Sequence, residues 1–350
     1  MTAEGTTYRA AGVDVEAADR IKARMGPAIR STFGPRVLTD VGPLGSFGGM
    51  FSLAGLDVSE PVLVGSADGV GTKLKLAFLL GRHDTIGRDL VNHCLNDVLT
   101  TGARPLFFMD YFATGALRPE VTLAVVEGIA AACREAGCAL LGGETAQMPG
   151  FYADGEYDLA GFMVGLVAHR DLLGPARVRA GDLAVCLPAS GLHTNGYSLA
   201  RRVLRLDGPP EAARRRLEAW VPELERTLGD ELLEPHRSYL AELTPLLPRL
   251  HALAHITGGG LVDNVPRALP ADLAVRLDRR RWREPPIFAL LGREGALAEA
   301  EMDRAFNRGI GMLALLAPED ADALPRLIPD ASVVGEVVAR EGGSPVRIER

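Results

Sequence analysis

Lysine is almost missing from this chain. Of 38 basic residues only Lys22, Lys73 and Lys75 are lysine. A lysine supplies a compact point charge that the planar guanidinium does not copy. Lys73 and Lys75 therefore mark a segment to inspect, with chance clustering as the plain alternative. Long apolar runs are missing too. None reaches the roughly 18 residues of a membrane-spanning helix, and Met1 to Arg9 is polar, without the apolar stretch of a signal peptide. The expectation is a cytoplasmic protein with no membrane partner. Cysteine is scarce: Cys94, Cys133, Cys138 and Cys186 form no CxxC and have no histidine at zinc spacing. Four reduced, mostly buried thiols are expected. Positive charge is in deficit. The formal net charge is -7 and the sequence pI about 5.6, which argues against general nucleic-acid binding. Arg214-Arg215-Arg216 and Arg279-Arg280-Arg281 have acidic neighbours and read as solvated faces. No internal repeat or low-complexity segment is visible.

The 350 residues are 47% hydrophobic and 24% charged, ordinary globular usage with room for a sizeable core. Helices are expected at Val15 to Thr32, Thr72 to Leu80, Asp84 to Thr101 and Glu120 to Ala136, the last stopped by Gly137. Strands are expected at Pro61 to Ser66, Leu106 to Tyr111, Ala139 to Leu141 and Leu159 to Ala168. The pattern relaxes between Asp171 and Asp182, so two domains are expected, 1–170 and 171–350. The second opens with a strand at Leu183 to Leu187 and a helix from Tyr197. A mostly helical insertion from Gly208 to about Asp230 and a helix through Ser238 to Leu247 follow. A helix running to Ala268 and strands at Ala274 to Leu277, Gly311 to Ala317 and Ser332 to Val338 close it. Alternating strands and helices place both domains in the α/β or α+β class.

Five segments carry polar chemistry at the junctions of these elements. In Gly65-Ser66-Ala67-Asp68-Gly69-Val70-Gly71-Thr72-Lys73-Leu74-Lys75 a strand delivers an aspartate into a loop with two glycines, followed by a hydroxyl and lysines. Glycine permits close backbone approach to phosphate, a lysine supplies a cation, and Asp68 is a hard oxygen ligand suited to magnesium. An ordinary turn with solvated lysines fits equally. On the helix around Asp89, His93, Asn96 and Asp97, three- and four-residue spacings put these groups on one face. A buried carboxylate there needs a partner, of which a metal is one. Leu141-Gly142-Gly143-Glu144 offers a lone glutamate at a strand end, or a plain turn. In Ser190-Gly191-Leu192-His193-Thr194-Asn195-Gly196, Thr194 or Asn195 can cap the next helix. A phosphate at the helix start, with His193 as donor or base, is the sharper reading. His255-Ile256-Thr257-Gly258-Gly259-Gly260 holds three costly successive glycines, which close approach of a ligand would justify.

In their order along the chain these segments resemble the phosphoribosylformylglycinamidine cyclo-ligase (aminoimidazole ribonucleotide synthetase) family. The likeness extends through Ala11-Gly12-Val13-Asp14, Phe47-Gly48-Gly49-Met50-Phe51, His83-Asp84-Thr85-Ile86-Gly87, Pro105-Leu106-Phe107-Phe108, Asp110-Tyr111, Glu144-Thr145-Ala146, Asp158-Leu159-Ala160-Gly161-Phe162 and Phe306-Asn307. The resemblance implies a two-domain PurM-like fold, with a C-terminal α/β sandwich-like domain and a homodimer pairing through the N-terminal sheets. It implies ATP-dependent closure of an imidazole ring in purine biosynthesis, with magnesium; the choice of monovalent cation stays open. It assigns Asp68, Asp97 and Glu144 as metal ligands and Lys73 as a phosphate contact. Gly45, Phe47, Gly48, Gly49, Gly69, Gly71, Thr72, Asn96, Gly142 and Gly143 join them around the nucleotide, with Gly45 to Gly49 as a closing loop. Ser190, His193, Thr194, Asn195, Thr257, Gly258, Gly259 and Gly260 are assigned to the substrate, with His193 as the candidate for proton transfer beside Lys73 and Asp68.

Three positions depart from the family pattern: Gly26 stands where a nucleotide-associated lysine is usual, Ser46 replaces a glycine, and Gln147 replaces a glutamate. Lys22 lies one turn before Gly26. Selenophosphate synthetase would be expected to carry a reactive cysteine before the glycine loop, and the first cysteine here is Cys94. Thiamin-monophosphate kinase lacks the Gly-Gly-Glu-Thr-Ala stretch. Another ATP-using member of the superfamily, or a non-catalytic nucleotide-binding regulator, is the alternative; ATP hydrolysis coupled to product excludes the regulator.

Overall fold

The computed structural model describes Thr7 and residues 11–39, 48–321 and 323–349. Gly45, Ser46 and Phe47 of the expected closing loop lie outside the described residues. In the first half, α1 (Val15–Arg30) begins where the Asp14 carboxylate accepts the Ala17 amide at 2.9 Å, an N-cap. β1 (Pro61–Gly69), α2 (Leu74–Leu80), α3 (Ile86–Leu99), β2 (Arg104–Thr114), α4 (Pro119–Ala136), β3 (Ala139–Gln147) and β4 (Tyr157–Ala168) follow. α2 and α4 stop on Gly81 and Gly137, both left-handed. The four strands form one sheet in the order β1-β4-β2-β3. β2 and β3 run parallel across α4, and the other pairs are antiparallel.

One face of this sheet packs against α3 and α4. Phe108, Phe112 and Met163 from the strands meet Leu90, Cys94, Val125 and Ile129 from the helices, all buried. Each large apolar side chain so removed from water contributes roughly 1.5–3 kcal/mol. On the other face Leu63 is 58% and Phe162 42% exposed. β3 extends beyond its expected end at Leu141, so Gly142, Gly143 and Glu144 lie within the strand rather than on a loop after it.

The second half comprises β5 (Leu183–Pro188), α5 (Tyr197–Val203), α6 (Pro210–Glu218), β6 (Trp220–Val221), β7 (Arg226–Thr227), α7 (Leu228–Leu232), α8 (Leu240–Leu243) and β8 (Leu250–His255). After these come α9 (Gly260–Asn264), β9 (Leu273–Asp278), α10 (Pro286–Gly295), α11 (Glu299–Ala305), β10 (Ile310–Leu316), α12 (Ala323–Leu327), β11 (Ser332–Ala339) and β12 (Val346–Glu349). Six strands make a second sheet, β12-β9-β11-β5-β10-β8. It is buried on both sides: Ala252, Val275 and Leu313 face Leu261 and Val265, while Leu253, Met312 and Ala314 face Leu243, Leu246 and Leu324. A strand covered on both faces reads as a continuous apolar run, and Ile310–Leu316 is such a run. β8 gives no such signal, since Leu-His-Ala-Leu-Ala-His lacks β-branched residues. The insertion is α-helical only in α6 and α7, with the small β6–β7 hairpin between them, whose turn is a 3-10 helix at Pro222–Leu224.

α3 crosses α4 at Gly87. A Cβ there would stand 2.2 Å from the Val125 carbonyl oxygen and 2.4 Å from the Ile129 nitrogen. Gly87→Ala should therefore force the helices apart and cost about 3 kcal/mol, read as a lower urea midpoint at unchanged m. An unchanged midpoint would contradict this crossing.

Candidate active site

β1 carries Asp68 one residue before its end at Gly69, and α3 lays Asp89, His93, Asn96 and Asp97 along the face turned toward the second half. Asp68 and Asp97 come together. His93 Nε2 lies 2.9 Å from Asp68 Oδ2, and the Gly69 amide donates to Asp68 Oδ1 at 2.7 Å. His255 Nδ1 lies 2.8 Å from Asp97 Oδ1, and the Ser66 hydroxyl donates to Asp97 Oδ2 at 3.1 Å. Burial pushes both carboxyls up, but the histidine contacts outweigh it, so both sit below the ordinary carboxylate value. Each carboxylate is a little over one-third exposed. Every oxygen accepts one hydrogen bond and keeps a second lone pair. A pair of ionised, part-open carboxylates is a hard-oxygen donor set that fits magnesium.

Behind the carboxylates a polar chain runs through the interior. His93 Nδ1 meets Thr194 Oγ1 at 2.7 Å, Thr194 Oγ1 meets His236 Nδ1 at 3.2 Å, and His236 Nε2 meets His255 Nε2 at 3.0 Å. Asp68 and Asp97 are thereby joined by five hydrogen bonds through four linking groups. Neutral linkers bring one proton each and carboxylates bring none, so a fully bonded chain holds one proton more than its neutral linkers supply. His236 was not singled out from the sequence. Its signal is spatial: no metal-ligand or triad spacing connects residues 93, 194, 236 and 255.

His193 sits beside this chain, 1% exposed, its ring stacked on His236 at 4.0 Å between centroids. The Ser190 amide donates to its Nε2 at 3.1 Å. In the neutral ring the proton is therefore on Nδ1, which is buried without a partner. Burial, then the neighbouring positive groups, hold His193 and His236 well below the ordinary histidine value. With Nε2 occupied, His193 in this arrangement presents a hydrogen-bond donor; the basic lone pair expected of it is engaged by Ser190.

Lys73 requires a correction. It was expected to face phosphate, but it is fully buried. Its ammonium lies 2.8 Å from both oxygens of the fully buried Asp89 and donates to the carbonyls of His193 at 3.2 Å and Glu234 at 2.7 Å. No proton is left for a ligand. Lys75 instead pairs with Glu156 at 2.7 Å. Asn96 is likewise committed to the backbone, donating to the Arg237 carbonyl at 2.8 Å and accepting from the Tyr239 amide at 3.1 Å. Glu144 does not join the carboxylate pair within one chain. Asp68, Gly161, Asp110 and Gly143 share one register across the sheet. Glu144 is one residue on, hence on the opposite face, and three strand spacings away, ~14 Å. Gln147, the residue in place of glutamate, forms a reciprocal amide pair with the backbone of Asp14, both bonds 3.2 Å. A carboxylate lacks the donor for half of that pair. Gly26 is buried and Lys22 exposed.

The substrate-side residues converge. Ser190 Oγ donates to the Pro235 carbonyl at 2.6 Å, and Thr72 Oγ1 lies 2.9 Å from Ser198 Oγ, bridging the two halves at the surface. Asn195 borders Gly258, where a Cβ would stand 3.3 Å from its Oδ1. The Thr257-Gly260 turn is tied by Asn264 Nδ2, which donates to the carbonyls of Thr257, Gly258 and Gly260. Gly260 has φ +60°, and a Cβ there would stand 2.1 Å from the Asp303 carbonyl oxygen, so only glycine fits. Asn307 holds the Gly191 carbonyl at 2.9 Å. Gly48 and Gly49 lie apart, Gly49 against Leu141. A cavity of about 620 Å³ at the Arg104 end of the first sheet contains none of the expected site residues.

Two outcomes test this geometry. Lys73→Met leaves Asp89 buried and unpaired, which should cost about 3–5 kcal/mol; Lys73→Met with Asp89→Leu should recover much of it in urea melts. Full stability of the single variant would remove the pin. His193, His236 and His255 are all lowered by burial from the ordinary 6.5. Unfolding takes up protons below pH 6.5, so stability should fall as the pH drops through that value, by up to about 1.4 kcal/mol per pH unit for each ring. Above about pH 7 this contribution is constant. Melting temperatures across pH 5–8 check the sign.

Comparison with known proteins completes the picture. Residues 54–167 match the AIR synthase related protein N-terminal domain, and residues 179–347 the corresponding C-terminal domain. The chain is 48% identical over 345 residues to the phosphoribosylformylglycinamidine cyclo-ligase of Desulfitobacterium hafniense, covering 97% of this chain and 98% of that one. It is 50% identical over 341 residues to the enzyme of the same name from Sorangium cellulosum, covering 95% of each. Among solved structures, the hydrogenase maturation protein HypE in complex with ATP superposes with TM-score 0.69 at 19% identity, covering 97% of this chain and 92% of that one. The thiamine-monophosphate kinase of Stenotrophomonas maltophilia superposes with TM-score 0.63 at 19% identity, covering 96% of each. These two share the fold. The motifs, both domain models and the near-full-length identity make this chain a member of the phosphoribosylformylglycinamidine cyclo-ligase family.

Proposed function

We infer that this chain closes the imidazole ring of a purine precursor: formylglycinamidine ribonucleotide and ATP become aminoimidazole ribonucleotide, ADP and phosphate. The observation that carries the reading is the part-open Asp68–Asp97 pair, tied through His93, Thr194, His236 and His255 to the loops that carry His193 and Thr257-Gly260. The formyl oxygen leaves poorly. Transfer of the γ-phosphoryl group converts it to phosphate, and the amidine nitrogen then attacks that carbon as phosphate departs. Such transfer depends on positioning and charge neutralisation. Asp68 and Asp97 would hold magnesium, which supplies positive charge to the phosphates when bound. His93 and His255 keep those carboxylates ionised and aimed. The His193 Nδ1 proton, which has no partner in the interior, would serve a substrate oxygen once one reaches it, with Thr194 and Asn195 beside it. The Thr257-Gly260 turn, held by Asn264 at the carbonyls of Thr257, Gly258 and Gly260, would offer the amides of Gly258 and Gly259 to the substrate phosphate, that of Gly260 being bonded to the Thr257 carbonyl. Gly69, Gly71 and Thr72 border the nucleotide phosphates, while Gly142 to Glu144 stand three strands away in the sheet and do not join them within one chain.

The exposed face bearing Leu63 and Phe162 suits pairing with the same sheet of a second copy, giving a homodimer. Glu144 lies on that face. The division into domains at 170/171 falls between the two sheets. No described helix is long and apolar enough to cross a membrane, and the four cysteines are free and buried; a cytoplasmic enzyme is consistent with both.

Purified protein with formylglycinamidine ribonucleotide, ATP and magnesium should release ADP and the aminoimidazole product in equal amounts. Asp68→Asn should lower turnover by about 100-fold or more with little change in melting temperature. ADP without ring product would move the substrate to a superfamily relative; wild-type turnover of Asp68→Asn at saturating magnesium would remove Asp68 from the metal.

A further inference from the structure

His236 lies on the segment between α7 and α8, outside every motif of the sequence. All four of its polar groups are committed, and to different parts of the molecule. Its amide donates to Asp89 Oδ1 at 2.8 Å, and its carbonyl accepts from Asn92 Nδ2 at 2.7 Å. Both partners are on α3, in the first half of the chain. Its ring reaches the other way. Nδ1 meets Thr194 on the loop after β5, Nε2 meets His255 at the end of β8, and the ring face covers His193. α3 therefore decides where the backbone of His236 stands. The ring then decides where the His193-Thr194 loop stands relative to the His255–Asp97 contact.

We propose that His236 is a positioning residue for ring closure, a template anchored on α3 that sets the His193-Thr194 loop and the His255–Asp97 pair at one spacing. The loop needs such a template. His193 has φ +63°, a left-handed conformation that is strained for a non-glycine residue and persists only where its surroundings hold it. The Ser190 bond to Nε2 fixes the His193 tautomer, but the ring plane is set by the stack on His236 at 24°. A displacement of about 1 Å at this distance from the chemistry is enough to lower turnover about 100-fold. His236 touches neither carboxylate, so its effect passes through Thr194, His193 and His255.

The proposal rests on the cyclo-ligase reading, and the test separates the two. Asparagine places its amide nitrogen near the position of Nδ1, and glutamine near that of Nε2, so His236→Asn keeps the link to Thr194 and His236→Gln the link to His255. His236→Phe keeps the stack and both backbone anchors but loses both links. The expected result for His236→Phe is a kcat 30- to 100-fold lower per folded molecule, with KM for ATP within about threefold of wild type. Asparagine and glutamine should each recover part of the loss. Thr194→Val should cost several-fold in the wild-type background and less in the His236→Phe background, because the Thr194–His236 link is common to the two changes, while the Thr194–His93 link is lost with Thr194→Val in either background. A wild-type protein that makes no ring product overturns the cyclo-ligase reading itself. A productive wild type with His236→Phe at full kcat overturns the positioning role. So does a loss that tracks only the folded fraction in parallel melts, with asparagine and glutamine no better than phenylalanine.

Discussion

A lysine and an aspartate, both sealed from solvent, hold the two halves of this molecule at one spacing. Taking such a pair out of water costs several kcal/mol per ion, offset only when the geometry is close and the remaining protons and lone pairs are used. Here the three ammonium protons of Lys73 go to Asp89 Oδ1 and to the carbonyls of His193 and Glu234, Asp89 Oδ1 also accepts the His236 amide, and Asp89 Oδ2 lies 2.8 Å from the ammonium without a hydrogen bond of its own. Burial pulls Lys73 down and Asp89 up from their ordinary values, while each charge opposes the other's shift. The pair tolerates no slack, since lengthening any one contact leaves a buried charge less compensated. The carbonyls of residues 193 and 234 and the amide of 236 are thus placed relative to α3, and every polar side chain of the site follows from that placement.

On this frame the site divides into two electrostatic regions. Toward solvent stand Asp68 and Asp97, ionised and part-open. Behind them stand buried imidazoles in hydrogen-bonded contact, with His193, His236 and His255 driven toward the neutral form by burial. The carboxylates keep their charge because the rings donate to them, and the rings stay packed because Thr194 and the backbone supply the remaining partners. A low-dielectric wall behind a charged pair strengthens whatever the pair attracts. This ordering suits a reaction whose main demand is charge neutralisation on phosphate.

Much of the fold was legible in the residues. α4 was read to its glycine stop, and β1, β4, β5 and β11 to within a few positions, because each has a single buried face or is buried throughout. β8 was missed because alanines flanked by histidines carry no strand signal, and its burial comes only from neighbours on both sides. Asp68, Asp97, His193 and Thr194 were legible as groups to inspect, since polar groups at strand and helix ends have few structural reasons to be there, and the structure brings them together around one hydrogen-bonded chain. Lys73 was legible as special but its role was not. A lysine next to a glycine-rich turn reads as a phosphate contact, and only its partner on α3 and two carbonyls more than a hundred residues away convert it into a pin. Glu144 shows the same limit: its side of the sheet depends on a register that the strand's own sequence does not state.

By itself the sequence determined which segments are apolar enough to be core, where glycine and proline end the elements, and which family the ordered motifs match. These are local properties, decided by side-chain chemistry within a few residues. The tertiary structure alone decided that His93, Thr194, His236 and His255 form one chain between two carboxylates, that Lys73 is buried, and that Glu144 stands on the far face of the sheet. Those facts depend on long-range packing and register, where residues far apart in the chain share a few ångströms of space and no spacing rule connects them.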